Sequence, residues 1–135
     1  KAFISSYNLT PAQRHIYRHI THYLKRSTTA RLIEARKDNV LAAFNIVDTG
    51  SEEYAFYLFN FRSHKIIVPG ASDFLFREMV NFAESRGKKY INLGLGIHAG
   101  IRRFKEKWGG VPFQPYHSAL VQREDLDLGK LADKL

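Results

Sequence analysis

The 135-residue chain contains no cysteine. Disulfides, thiolate metal sites and a cysteine nucleophile are thereby excluded, while the compartment stays open because many cytosolic chains are also cysteine-poor. No run of about 18 apolar residues is present that could span a bilayer. There is also no charged start followed by an apolar core and a small-residue cleavage site. These absences predict a soluble protein, with a cytoplasmic address as the default expectation. Acidic residues are scarce as well: 13 Asp and Glu face 21 Lys and Arg, leaving a formal net charge of +8. The chain opens at Lys1 rather than at a methionine, which is compatible with a fragment of a longer protein.

The composition is 44% hydrophobic and 13% aromatic, enough to build a core, so a single folded domain over residues 1–135 is expected. The positive charge is uneven, with eight Lys/Arg against two acids in residues 1–40 and seven against two in residues 81–110. Two basic patches follow, and such a field attracts phosphates on a nucleotide cofactor, a tRNA or an acidic acceptor. The plain alternative is a solvated basic face that aids solubility.

Residues 9–27, "LTPAQRHIYRHITHYLKRS", place Thr10 as a helix cap and Pro11 at the first helical position. Ile16, Ile20, Tyr23 and Leu24 recur at helical spacing, predicting a helix over 11–26 with an apolar stripe. Short β-branched and aromatic runs then alternate with Lys37-Asp38-Asn39 and Thr49-Gly50, both natural turns, predicting three antiparallel strands near 31–36, 40–48 and 53–62. Helical period returns through Leu75, Phe76, Met79, Val80 and Ala83, and Gly87 suits a left-handed helix end. A short strand in "KKYINLGLG" and a short helix in "AGIRRFKEKWGG" follow, the helix turning Ile101, Phe104 and Trp108 inward. A closing strand over 111–124 and a weak helix over 126–135 complete the reading. A strand-helix-strand unit needs a parallel neighbour whereas the meander is antiparallel. The expected class is therefore α+β, a mixed, mainly antiparallel central sheet flanked by helices on both faces.

Three stretches carry a family resemblance: "EEYAFYLFNF", the turn "VPGASDFL" opening a helix, and "NLGLGIHAGIRRFKEKWGG". Together they resemble the GNAT superfamily of acyl-CoA N-acyltransferases, and more narrowly its Fem-related (FemAB-like) branch, over roughly residues 31–123. The resemblance implies a turn between central strand and central helix whose backbone amides hold the pyrophosphate of coenzyme A. The physics is general, because the first helical N–H groups lack partners and the helix dipole is positive there. Gly70, Ala71, Ser72 and Asp73 occupy that position, and Arg62, His64 and Lys65 add charge just before it. Asp73 opposes an anion. The ordinary alternative is a proline-glycine loop with Ser72 as helix cap.

Asn92 and Gly94 fall where, by the same resemblance, the sheet splays to admit the pantetheine arm or the acceptor. Lys105 matches the lysine that Fem-related enzymes associate with phosphate or carboxylate, and Arg102 and Arg103 adjoin it; a solvated face is again the alternative. Phe104 stands where many GNAT enzymes carry a proton-donating tyrosine. Acyl transfer to an amine needs positioning, a base and a donor to the developing oxyanion. His98 and Tyr116 are the nearest titratable residues for catalysis, and Glu34, Glu53 and His117 are other possible bases. His15, His19 and His22 follow an i, i+4, i+7 pattern, but no acidic ligand stands near and Arg14 and Arg18 oppose a cation, so no metal is expected.

The leading expectation is a transferase moving an acyl group from acyl-CoA, acetyl-CoA being the simplest, to an unknown amine acceptor. The alternatives are a Fem-like transferase using aminoacyl-tRNA, which the basic charge suits, and a non-catalytic half of a tandem transferase. A second transferase-like domain or a homodimer would be the partner in that last case.

Overall fold

The computed structural model describes residues 9–96, 98–115 and 117. Among the described residues seven elements follow one another: α1 (Pro11–Arg26), β1 (Ala30–Lys37), β2 (Val40–Asp48), β3 (Tyr54–Arg62), α2 (Ala71–Ser85), β4 (Tyr90–Asn92) and α3 (Ala99–Lys107). The strands form one sheet in the order β1-β2-β3-β4, antiparallel through β3 and parallel between β3 and β4. The mixed sheet expected from the element order is therefore present.

Local chemistry explains the boundaries. Thr10 caps α1 reciprocally with Gln13, each side chain taking the other's backbone N–H, and Pro11 stands in the first turn. Asp38 and Asn39 join β1 to β2 with φ of 50° and 62°. Two left-handed residues make the tight hairpin whose twist matches antiparallel strands, and Asp and Asn are among the few residues that tolerate it. Gly87, at φ 68°, follows α2 as expected of a left-handed terminator.

Side-chain alternation along β2 divides the core between two faces. Phe44 and Ile46 join Ile20 of α1 and Phe61 of β3, with Tyr17, Leu24, Leu41 and Phe59 around them. Ala43 and Val47 face the other way, onto α2, where Leu75, Phe76, Met79, Phe82 and Ala83 meet Ala35 and Ala55. One helix on each face removes the apolar surface of the sheet from water, at about 1.5–3 kcal/mol for each large side chain fully buried. Ile16, expected in the α1 stripe, is half exposed; Tyr17 packs instead, its ring edge-on to Phe59 and Phe61 at 5.7 and 4.9 Å.

Two further expectations change. Ile101 is exposed, because α3 meets the core only through Phe104 and Trp108 in its second half. The closing strand does not form over residues 111–115 or at 117, which carry no regular structure. Pro112 and Pro115 lack the N–H that a ladder needs. Residues 118–124 of that strand and the helix expected over 126–135 lie outside the described residues. Among the described residues, no helix is long and apolar enough to cross a membrane.

Candidate active site

The site is built where two parallel strands part. β3 and β4 pair only over Tyr54–Tyr90, Ala55–Ile91 and Phe56–Asn92. Beyond them β3 runs on to Arg62, while the chain after Asn92 turns away. Asn92 drives that turn by accepting the Gly94 N–H on its Oδ1 at 2.8 Å, and Gly94 adopts φ 65° in open space. At the same point β3 bulges: Ile46 pairs with Phe59 but Val47 pairs with Tyr57, leaving Leu58 opposite no partner. A bulge bends its strand and re-aims the side chains around it. Phe59 and Phe61 consequently face α1, while Tyr57 and Ala55 face α2.

The N-terminus of α2 opens at this end of β3. Gly70 precedes it at φ 76°, a left-handed conformation costing about 1–2 kcal/mol for residues bearing a Cβ. A Cβ built there would meet nothing within 4 Å, so the glycine serves the backbone rather than a close contact. Ser72 does not cap the helix, and no side chain does. The Ala71 amide closes a turn onto Val68 O and its methyl is buried against Ala35, Ala43 and Leu75, so this residue belongs to the core. The amides of Ser72 and Asp73 donate to no acceptor among the described residues, which leaves two N–H groups at the positive end of the helix dipole.

Asp73 is not a bare negative charge at that helix start. Its Oδ1 accepts Lys107 Nζ at 2.7 Å and Trp108 Nε1 at 2.9 Å, tying the start of α2 to the end of α3. These bonds, the lysine first, hold its carboxyl below the ordinary range. Trp108 in turn lies against Phe76 of α2, their ring centroids 4.7 Å apart. Gly70, Asp73, Phe74, Arg77 and Trp108 line an open hollow of about 300 Å³ at the start of α2. Arg77 lies over the Phe74 ring, 5.6 Å from its centroid.

The other expected site residues scatter by function. Lys105 does not extend into solvent: its Nζ donates to Leu95 O at 2.7 Å, pinning the turn after β4, and partial burial lowers its pKa. Arg102 packs along Gly96, whereas Arg103 is exposed on α3. Arg62 ends β3, and Lys65 lies in the loop before α2, where its amide bonds Ser63 Oγ. His98 precedes the first residue of α3 without capping it by its side chain. Tyr116 lies outside the described residues. Of the other possible bases, Glu34 pairs with Arg36 on the far edge strand β1 and Glu53 pairs with Lys89. On α1, His19 Nδ1 meets the carbonyl of His15 and His22 Nε2 meets Arg26. The structure adds Trp108 and Lys107 to the start of α2, where only the tertiary fold brings them to Asp73, and Arg77, which lies one helical turn along α2 from Asp73.

No protein-family model matches the chain, and no curated protein matches it by sequence. Solved structures do. A ribosomal-protein-alanine N-acetyltransferase from Brucella melitensis biovar Abortus 2308 superposes with a TM-score of 0.59 at 18% identity, over 76% of this chain and 74% of that one. AAC(6')-Iy, an aminoglycoside N-acetyltransferase solved with a bisubstrate analogue of coenzyme A, gives 0.60 at 13% identity, over 89% and 84%. The aminoglycoside 6'-N-acetyltransferase AAC(6')-IG from Acinetobacter haemolyticus gives 0.59 at 15%, over 90% and 86%. At these identities the likeness concerns the backbone alone. The chain has the mixed α+β fold of the GNAT acetyltransferases.

Proposed function

We propose that the domain is an N-acyltransferase that takes its acyl group from acyl-CoA and passes it to an amine. The observation that carries this reading is the coincidence at one place of a helix start whose first amides meet no acceptor among the described residues and a parallel strand pair that parts. The Ser72 and Asp73 amides stand at the α2 N-terminus. Beyond Phe56, β3 pairs with no residue of β4, at the mouth of the same gap. A diphosphate fits the first, since oriented amides at a helix start favour an anion without needing particular side chains. An extended arm rich in amides fits the second, adding to the sheet edge as a peptide strand does. Acyl-CoA combines both. That solved structures of this fold include N-acetyltransferases bound to coenzyme A or its analogue supports the choice of donor.

In this reading Gly70 turns the chain so that the two amides face the diphosphate, and Lys107 and Trp108 keep the Asp73 carboxylate occupied on α3. The amine attacks the thioester carbon in the gap between β3 and the residues after β4, where the bulge at Leu58 sets the side chains of β3. His98 and Tyr116 are proposed as proton acceptors because they flank that end of the domain in sequence. Arg62, Lys65, Arg102 and Arg103 are proposed as the cationic rim.

A second reading, a Fem-like transfer from aminoacyl-tRNA, is favoured by one observation: the exposed cations Arg102 and Arg103 on α3 and Arg14, Arg18, Lys25 and Arg26 on α1 suit a large polyanion better than a single cofactor. Melting the purified domain with coenzyme A, acetyl-CoA or bulk tRNA, at low and at physiological salt, separates the two, because a ligand bound only to the folded state raises the melting temperature. The acyl-CoA reading predicts a rise with coenzyme A that survives salt and is lost in Gly70→Val. A rise with tRNA alone, fading steeply with salt, would replace it by the second reading.

A further inference from the structure

A polar strip crosses the α2-facing side of the sheet directly below the start of α2. Asn45 of β2 and Asn60 of β3 are cross-strand partners. Asn45 is fully buried; its Nδ2 donates to Leu75 O at 3.1 Å, and its Oδ1 meets no donor among the described residues. Asn60 is exposed, and its Nδ2 donates to the Tyr57 hydroxyl. A buried acceptor left without a donor costs about 1–3 kcal/mol, and apolar residues would pack this face at no such cost.

The outer member of the strip is the informative one. Tyr57 is the first residue of β3 past the last pair with β4, beside the bulge, and its ring stands edge-on to Phe76 with centroids 6.1 Å apart. The hydroxyl receives one hydrogen bond and gives none: the Asn60 amide occupies its oxygen, and its proton has no acceptor among the described residues. A phenol that accepts a bond while its own proton is unspent is a strengthened donor, since hydrogen bonds in a chain polarise one another.

We propose that Tyr57 is a catalytic residue whose O–H donates to the thioester oxygen of an acyl-CoA held in the gap between β3 and the residues after β4. The proposal rests on the acyl-CoA reading above. As the amine nitrogen bonds to the carbonyl carbon, the π electron pair moves to oxygen, and the Tyr57 hydrogen bond shortens onto that oxyanion without transferring its proton. Collapse restores the carbonyl and breaks the C–S bond. The sulfur leaves with the bonding pair and takes up the proton lost by the attacking nitrogen, giving amide and free thiol. Burial raises the Tyr57 pKa to about 12, so the phenol keeps its proton across the neutral range.

The experiment compares acetyl-CoA with S-ethyl-CoA, which has the same chain but no carbonyl, by calorimetric titration of the native domain and of Tyr57→Phe. The native domain should prefer acetyl-CoA by about two- to tenfold. Tyr57→Phe should bind both equally and at the affinity the native domain shows for S-ethyl-CoA. A preference that persists in Tyr57→Phe, or none in the native domain, overturns the role of Tyr57 while leaving the acyl-CoA reading intact. Binding of neither compound overturns both.

Infrared spectroscopy of acetyl-CoA labelled with ¹³C at the carbonyl gives a readout that a merely structural tyrosine would not move. The stretch should lie lower in the native complex than in Tyr57→Phe. If the variant does not fold, the native complex decides: a stretch as high as in an aprotic solvent contradicts a donor at that oxygen.

Discussion

The two halves of this domain are held together differently. In the part built from α1, the three-stranded meander and α2, Ala43, Ile46, Val47, Ala55, Leu75 and Met79 are all completely buried. In β4 and α3 no residue is, and β4 is three residues long. This second region is fastened at named points: three ladder pairs to β3, the Asp73 tie to Lys107 and Trp108, the Lys105 bond to Leu95, and the aromatic contact of Phe104 and Trp108 with Phe76. With its fully buried core the first region is expected to behave as a rigid platform, and the second, held by fewer and only partly buried contacts, as the more adjustable. The candidate site lies along their boundary, with the start of α2 on the rigid side and its far wall on the adjustable one.

That contrast is breakable by mutation, and the largest effects belong to the platform. Leu75→Ala and Met79→Ala should each cost about 2–5 kcal/mol, read as an earlier midpoint in urea denaturation of the whole domain. A loss well under 1 kcal/mol would mean that the meander is not the stabilising unit. Gly70→Val comes next: forcing a β-branched residue to φ 76° should cost about 1–2 kcal/mol and remove the coenzyme A response together. The neighbouring Ala71 is a poor probe for this purpose, since its buried methyl makes any enlargement a core lesion.

Smaller effects are expected on the adjustable side. Asp73→Asn should lower global stability by no more than about 1 kcal/mol, because its pair with Lys107 is exposed. It should nevertheless speed amide exchange throughout α3, as measured by hydrogen exchange. The same carboxyl has a pH signature. Its folded pKa lies below the ordinary 3.8, so its contribution is present above that value and is lost as pH falls through the folded one. Acid titration of Asp73→Asn should therefore show a shallower loss of stability below about pH 4 than the parent. Lys105→Met should have the smallest global effect, confined to faster exchange around residues 93–96. If it instead unfolded the meander, the division into two regions would be wrong.

The same division governs how much was legible in the sequence. Elements whose cause is local were readable: Thr10 and Pro11 start α1, Asp38-Asn39 turns the hairpin, and the spacing from Leu75 to Ala83 gives α2 its buried face. The start of α2 could be placed because a glycine before a helix has a local meaning. What one side chain does to another across the fold could not be read. Lys105 and Asp73 look like free charges in the sequence, yet each is engaged by a partner 10 or 34–35 positions away. The bulge at Leu58 depends on register with β2, and so the assembly of Tyr57, Asn60 and Asn45 on one face had no signature in β3 alone. Ile101 was misplaced for a related reason: helical period tells which residues share a face but not how far along the helix that face stays covered.

The central claim, that the start of α2 is a diphosphate cradle at the mouth of the β3–β4 gap, is tested most directly by adding coenzyme A to the ¹⁵N-labelled domain at physiological salt and following every amide by NMR. The account predicts the largest shifts at Ser72 and Asp73, accompanied by residues 93–96, and their disappearance in Gly70→Val. Shifts confined to the basic face of α1, or none at the α2 N-terminus in a folded domain, would contradict it.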